Sequence, residues 1–212
     1  MKLNELEFAL MNNPVRAASQ QWLETPLLIG PPGSLAGKRV LEVGCGWGVG
    51  IEILLSLGAT YVAGFDFDPA MVVLAQSRLT RYGNRVALFV GDATTIAAPD
   101  ATFDAVVDYG VIHHIPDWSQ ALHEVARVLK PGGIFYFEDL LKGFISAWPT
   151  RMLFDHPQAT QFKGREFQTG LAAADLQVQQ WRQWGEWGFM GQARKLDGHH
   201  EYPYYMETAQ NG

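Results

Sequence analysis

The residues best suited to chemistry lie in a short segment where one acid precedes a run of alternating glycines. Glu42 lies near the carboxyl end of a short apolar strand, and glycines follow at every second position: Gly44, Gly46, Gly48 and Gly50. Glycine has no Cβ atom, so this turn can adopt positive φ angles and its backbone can lie directly against a ligand. The helix predicted after the turn directs its amide end at the same point, which favours a ligand of nucleotide type.

Two further acids end predicted strands. Asp66 ends the apolar run 60–66, about twenty residues after the glycine turn, where an acid can accept hydrogen bonds from ribose hydroxyls. Asp92 ends the next run, 85–92. Because ligands of open α/β sheets bind outside the carboxyl ends of the strands, we expect both acids to share one cleft with Glu42.

Two cofactors fit a strand, turn and helix of this kind. A dinucleotide fingerprint requires a third glycine three residues after the second, and Val49 occupies that position when counted from Gly44 and Gly46. The arrangement E-x-G-x-G-x-G instead resembles motif I of the class I S-adenosylmethionine-dependent methyltransferases. An acid beside the turn suits the cationic amino group of S-adenosylmethionine and is unfavourable beside a pyrophosphate. The sequence therefore favours S-adenosylmethionine, with NAD(P) as the alternative cofactor.

The resemblance to this superfamily extends over about residues 38–139 and implies a role for each matching position. The motifs follow the family's order, from the glycine turn through the strand-four segment 103–115 to LKPGG at 129–133. The positions that the resemblance assigns to the cofactor are Glu42, Gly44, Cys45, Gly46, Gly48, Asp66, Phe67, Asp92, Ala93 and Tyr109. Among them, Asp66 is expected at the ribose and Asp92 at the adenine amine. Cys45 is expected to pack, or to contact ligand through its backbone, rather than to act as a nucleophile.

The candidates for catalysis follow the fourth predicted strand. Methyl transfer requires the protein to position the acceptor, to exclude water and, for some acceptors, to remove a proton. Tyr109, His113 and His114 are the candidate catalytic residues, and a neutral imidazole is a suitable base for an oxygen or nitrogen acceptor. The alternative is that these three side chains only pack. We expect no metal site, because His199 and His200 have no nearby cysteine and no spaced partner.

Strands and helices alternate from residue 38 onward, which predicts an α/β fold. We expect a doubly wound, mostly parallel seven-stranded sheet with helices on both faces, and the resemblance implies a reversed C-terminal hairpin. The predicted strands are 39–43, 60–66, 86–90, 104–109, 134–139, 176–184 and 187–195. The predicted helices of this domain are 48–57, 69–82, 117–130 and 164–174.

The expected domain organisation has three parts. They are an N-terminal helical cap at 1–33, a cofactor-binding methyltransferase domain at 34–196 with a lid-like insertion at 140–163, and a C-terminal tail at 197–212. We expect a mainly apolar acceptor pocket formed by the N-terminal helices, the strand-four loop and the insertion. Its candidate side chains are Phe8, Met11, Trp22, Trp148, Met152 and Phe154.

Composition limits the partners and the compartment. The 212 residues carry a net charge of −6 without a cluster of Lys or Arg, which argues against a nucleic-acid partner. No apolar run reaches the roughly 18 residues of a membrane span, and a single cysteine fits the reducing cytoplasm. The sequence thus predicts a cytoplasmic methyltransferase that acts on a small-molecule acceptor. The alternatives are an NAD(P)-dependent oxidoreductase and an S-adenosylmethionine-binding protein without catalysis.

Overall fold

The computed structural model describes residues 13–141 and 162–197. In these ranges seven strands form one sheet with the order β3-β2-β1-β4-β5-β7-β6. The strands are β1 (Arg39–Val43), β2 (Tyr61–Asp66), β3 (Val86–Val90), β4 (Phe103–Tyr109), β5 (Leu129–Leu140), β6 (Leu176–Trp184) and β7 (Gly188–Lys195). The first five are parallel, whereas β7 is antiparallel to both β5 and β6. The predicted sheet with its reversed hairpin is confirmed.

The helices of the described residues alternate with the strands. They are α1 (Pro14–Ser19), α2 (Thr25–Leu28), α3 (Val49–Ser56), α4 (Pro69–Leu79), α5 (Trp118–Val128) and α6 (Gly164–Ala173). A π turn at Gln20–Glu24 joins α1 to α2, and residues 14–28 together are named the N-terminal helical segment. Helix α4 ends before its predicted boundary at residue 82 and continues as a 3-10 turn, Thr80–Arg85.

Helices cover both faces of the sheet and bury a core on each. Leu28 of α2, Ile51 of α3 and Ala75 of α4 belong to the core on one face. Leu122 of α5 and Phe167 of α6 belong to the core on the other face. Helices α2 to α6 therefore each bury apolar side chains against the sheet, as a doubly wound fold requires, whereas α1 has no buried residue.

The central strand β1 is buried on both faces and sets the position of its one acid. Val40 packs into the first core, whereas Leu41 and Val43 pack into the second. Because side chains alternate along a strand, Glu42 points to the same face as Val40, toward α3. A Cβ atom at Gly50 would lie 1.9 Å from Glu42 Oε1, so only glycine leaves room for this carboxyl.

The start of β5 differs from the prediction. The sequence predicts a helix to residue 130 and a strand from residue 134, but β5 begins at Leu129, which pairs with Phe103. The next pair joins Ile134 to Ala105, so the residues between, including Gly132 at φ 73°, bulge out of the ladder. The fully buried Leu129 side chain gains more from the core than from a further helical turn.

The N-terminal helical segment is capped at its start and is hydrogen-bonded to the sheet at two places. Asn13 caps its first turn by accepting hydrogen bonds from the Val15 and Arg16 amides. Further along, Thr25 Oγ1 hydrogen-bonds the Tyr109 hydroxyl at 2.9 Å, and Gln192 Nε2 donates to the Leu28 carbonyl at 2.7 Å. The division into a cap ending at 33 and a domain beginning at 34 stays a prediction.

Replacing Thr25 with valine should reduce the free energy of unfolding by about 1–3 kcal/mol, because the buried Tyr109 hydroxyl would lose its partner. Urea unfolding followed by circular dichroism measures this loss. The matched control is Thr60→Val, which removes an exposed hydroxyl bonded to the Lys38 carbonyl and should change stability by at most about 0.5 kcal/mol. Equal losses in the two variants would contradict the anchoring role of Thr25.

Candidate functional site

A cavity of about 650 Å³ lies at the carboxyl ends of β1, β2 and β4. This volume falls within the range of about 300–1,000 Å³ that is typical of small-molecule sites. The cavity brings together most of the predicted site residues: Glu42, Gly44, Cys45, Gly46, Asp66, Phe67, Asp92, Ala93, Tyr109 and His114. The strand-end acids therefore share one cleft.

Two predicted residues, Gly48 and His113, are not among those that line this cavity. Gly48 caps α3 at φ 90°, a conformation that favours glycine, and a Cβ atom there would lie 2.8 Å from Leu79 Cδ1. The structure thus explains Gly48 by the shape of the turn and by its packing against α4. His113 lies behind the cavity wall.

Glu42 is a buried acid that faces the cavity. Glu42 is only 3% exposed, and its Oε2 atom has no hydrogen-bond partner among the described residues. Burial raises the pKa of Glu42 well above the ordinary value, and the nearby carboxyls of Asp66 and Asp108 raise it further. Such a group is costly unless a ligand supplies a donor or a positive charge. The cationic amino group of S-adenosylmethionine fits this requirement.

Asp66 fixes the glycine turn to the end of β2. Its Oδ2 atom accepts a 2.9 Å hydrogen bond from the Gly46 amide, and its Oδ1 atom accepts one of 2.9 Å from the Asp68 amide. Burial raises the pKa of Asp66, although these two backbone hydrogen bonds oppose the shift. A carboxylate oxygen can accept more than one hydrogen bond, so both atoms can still accept from ribose hydroxyls.

The part of the cavity that is lined by Phe67, Asp92 and Ala93 has the features of a site for a flat aromatic ring. Phe67 lines this part of the cavity and is 58% exposed, so its ring is accessible to a bound molecule. Asp92 and the buried Ala93 line the same end, and Asp92 Oδ1 accepts hydrogen bonds from the Thr94 amide and hydroxyl. An adenine base would cover Phe67 and could donate its amine to Asp92.

Arg16 and Gln20 also line the cavity, and the sequence analysis missed both. Arg16 is the only lysine or arginine among the described lining residues. Its Nη1 atom contacts Glu24, and its Nη2 atom lies 3.5 Å from Glu138 Oε1. Burial and the neighbouring Glu24 raise the pKa of Glu138 to about 9, which Arg16 opposes. The polar spacing of residues 16, 20 and 24 on one predicted helix was the signal that could have identified them.

Tyr109 forms part of the wall rather than a free acid or base. Its side chain lines the cavity, but its hydroxyl is hydrogen-bonded to Thr25. Burial raises the pKa of Tyr109 well above the ordinary value, so the phenol stays protonated at neutral pH. Burial likewise raises the pKa of the Cys45 thiol, which disfavours the thiolate that a nucleophile needs.

Two buried carboxyls hold the loop that follows β4. Asp108 Oδ1 accepts a 2.9 Å hydrogen bond from the Val111 amide, and Asp139 Oδ2 accepts one of 3.0 Å from the His113 amide. The second oxygen of Asp139 contacts His113 Nδ1. Burial raises the pKa of both acids. The loop is therefore fixed through its backbone and through one of its side chains.

The two adjacent histidines occupy different environments. His113 is buried beside Asp139, and burial lowers the pKa of His113 to about 3. The ring of His114 packs against it with 3.9 Å between the ring centroids, and His114 lines the cavity. Only His114 is in a position to reach a bound molecule. His113, a predicted candidate for catalysis, does not line the cavity and instead packs between Asp139 and His114.

Of the six side chains predicted for the apolar acceptor pocket, only Trp22 lies within the described residues. Trp22 was predicted to line the acceptor pocket, but it is 75% exposed and is not among the lining residues. The reason is the π turn, whose inner side is occupied by Gln20 and Glu24. The remaining predicted residues, Phe8, Met11, Trp148, Met152 and Phe154, lie outside the described residues.

Residues 13–141 and 162–197 contain neither a candidate metal site nor a candidate membrane-spanning helix. In these ranges no three acidic, histidine or cysteine side chains are grouped closely enough to bind a metal ion. None of the helices found there combines the length and the hydropathy that crossing a bilayer demands.

Comparison with known proteins gives one consistent family. The family described as "Methyltransferase domain" matches residues 41–137. The ubiquinone biosynthesis O-methyltransferase of Thiobacillus denitrificans is 34% identical over 60% of this chain and 51% of its own length. The fatty-acid O-methyltransferase of Mycolicibacterium smegmatis is 34% identical over 76% of this chain and 52% of its own length. This chain thus spans about half the length of these curated relatives.

A solved structure agrees with this assignment at the level of the fold. The S-adenosylmethionine-dependent methyltransferase of Mesorhizobium loti superposes with a TM-score of 0.65 at 16% identity, over 77% of this chain and 93% of that chain. The sequence matches decide between the two cofactors that the glycine turn left open, because a relative over 47% of this chain is itself described as a probable S-adenosylmethionine-dependent methyltransferase. Residues 41–137 therefore belong to the methyltransferase domain family, and the matches support the class I S-adenosylmethionine-dependent methyltransferase superfamily with S-adenosylmethionine as the cofactor.

Proposed function

We propose that this protein methylates an oxygen atom of a small, largely apolar acceptor. The observation that carries the proposal is one cavity whose walls include both Glu42 and the imidazole of His114, and the Oε2 atom of Glu42 has no hydrogen-bond partner among the described residues. The two relatives described above are both O-methyltransferases, one of ubiquinone biosynthesis and one of fatty acids. Their names support an apolar acceptor with an ionisable oxygen.

The cofactor fits the residues at the strand ends. Glu42 would hold the amino group, Asp66 the ribose hydroxyls, and Asp92 with Phe67 the adenine. Arg16 is a candidate for the carboxylate, because it is the cavity's cation and its guanidinium is fixed by Glu24. When bound, S-adenosylmethionine supplies a methyl group on a cationic sulfur that leaves readily.

The acceptor end of the cavity combines apolar walls with one base. Val111, Ile115 and Pro116 line it beside His114, and these side chains suit an apolar body. His114 can take the proton of an acceptor hydroxyl or bind an acceptor carboxylate once protonated. Its ring cannot turn away freely, because His113 packs against it and is itself fixed by Asp139.

Activity is tested with methyl-labelled S-adenosylmethionine and a panel of acceptors: medium-chain and long-chain fatty acids, alkylated phenols, a peptide mixture and RNA. We expect label in a fatty acid or an alkylated phenol and none in peptide or RNA. Cofactor binding without transfer to any acceptor would favour the non-catalytic alternative. Label in RNA would contradict the proposed acceptor class.

Glu42→Gln should weaken S-adenosylmethionine binding by about 10- to 100-fold, because a charge-assisted hydrogen bond is lost while the shape is kept. Titration calorimetry measures the change, with Glu186→Gln, at an exposed position in the turn between β6 and β7, as the control that should bind normally. The raised pKa of Glu42 also sets the pH dependence, because the carboxyl becomes protonated as the pH falls. Wild-type affinity should therefore decrease toward acid pH more steeply than that of Glu42→Gln. Parallel pH profiles would contradict the assignment.

His114→Gln should lower kcat by about 10²- to 10⁴-fold with an acceptor that must lose a proton, and it should leave the calorimetric affinity for S-adenosylmethionine unchanged. His123→Gln is the matched control, because His123 lies exposed on α5 and bonds only the Ser119 carbonyl among the described residues. A normal kcat in His114→Gln would exclude His114 as the base and would leave the cofactor assignments intact.

A further inference from the structure

The outward face of the N-terminal helical segment carries no charged side chain among residues 14–28. Its large apolar residues are between 44% and 79% exposed: Val15, Trp22, Leu23 and Leu27. The other exposed positions of the segment are Pro14, Ala18, Gln21 and Pro26. A surface helix ordinarily turns its apolar stripe toward the core and its charges toward water. This segment does the reverse.

The inner face of the segment explains the reversal. Arg16 and Gln20 line the cavity, Glu24 contacts Arg16, and Thr25 bonds the Tyr109 hydroxyl. The polar side chains are therefore committed to the cavity and its wall. The apolar side chains, apart from the buried Leu28, remain on the outside of the same short segment.

A second apolar surface lies on the same side of the sheet. Leu140 follows Glu138 by two residues on β5, so its side chain projects to the face on which Arg16 approaches Glu138. Leu140 pairs with Gly188 and Gly188 pairs with Trp184, which places Trp184 on this face too. Both Leu140 and Trp184 are exposed. Apolar surface thus occurs on the helical segment and at the adjoining strand ends.

We propose that the outward face of residues 14–28 docks on a zwitterionic phospholipid bilayer, from which the enzyme takes its acceptor. This rests on the proposed apolar acceptor, since such a molecule partitions into lipid and must pass from there to the cavity. Tryptophan and leucine without neighbouring lysine or arginine suit an uncharged interface. Because the same segment forms a wall of the cavity, docking brings that wall to the lipid surface.

The binding test uses the 212-residue chain and vesicles of pure phosphatidylcholine in a flotation assay. Wild-type protein should float with the vesicles. The double variant Trp22→Gln/Leu23→Gln should bind at least about tenfold more weakly, because two apolar side chains no longer leave water. The matched control is Val73→Gln/Leu74→Gln on α4, whose two apolar side chains are also exposed, at 62% and 42%. This control should float like wild type. High salt should not release the wild-type protein from the vesicles, because the proposed contact involves no charge attraction.

Several results would overturn the proposal. They are wild-type protein that fails to float, binding that requires anionic lipid, and equal loss in the α4 control. A wild-type dimer that the Trp22/Leu23 double variant converts to a monomer in sedimentation velocity would assign the face to a second copy of the chain instead.

The docking proposal and the proposed function can fail separately. Methyl transfer to a short, water-soluble acceptor and calorimetric binding of S-adenosylmethionine should be the same in wild type and in Trp22→Gln/Leu23→Gln. Transfer from acceptor embedded in vesicles should fall with the loss of flotation. Flotation without any methyl transfer would refute the function and leave the docking intact, whereas transfer from vesicles that is indifferent to the double variant would refute the docking.

Discussion

The rest of this structure depends on one constraint: carboxyl groups are concentrated at one edge of the sheet. They are too buried there to ionise freely. Glu42 is the extreme case, because α3 and the glycine turn enclose it and no described residue satisfies its second oxygen. Asp66 and Asp108 repel its charge further. An arrangement of this kind costs stability on its own and is favourable once a cation binds. In the proposed function, the ammonium group of S-adenosylmethionine would supply that cation.

The glycine turn is the backbone counterpart of this electrostatic arrangement. Asp66 accepts a hydrogen bond from the Gly46 amide, so one of the acids that line the cavity also holds the glycine turn. Gly50 leaves the space that Glu42 occupies. The same few contacts thus fix both the backbone of the glycine turn and the positions of the neighbouring carboxyl groups. A substitution that disturbs the turn therefore also disturbs the carboxyl groups.

The N-terminal helical segment links this edge to its surroundings. Its polar side chains complete the cavity wall, and the bond between Thr25 and Tyr109 fixes it to β4. The segment has little polar surface left to present to water. Because the polar side chains of the segment line the cavity, most of its large apolar side chains remain on the outer surface.

Local pattern, together with the resemblance to the methyltransferase superfamily, was enough to predict the sheet, the order of its elements and the cleft shared by the strand-end acids. Short apolar runs, glycine at the turn and acids at strand ends are signals that neighbouring residues carry by themselves. The start of β5 was not predictable in this way, because it depends on the fit of Leu129 beside Phe103 across the sheet. Likewise, adjacent histidines look alike in the chain, and only packing against Asp139 buries His113 and leaves His114 at the cavity. Arg16 and Trp22 lie on one helical segment with opposite orientations, and the rotation of that segment is set by the tertiary contacts of Glu138, Tyr109 and Gln192. Sequence alone therefore determined which chemistry gathers at the edge of the sheet, whereas the tertiary structure decided which side chains face it, because helix rotation and burial depend on residues distant in the chain.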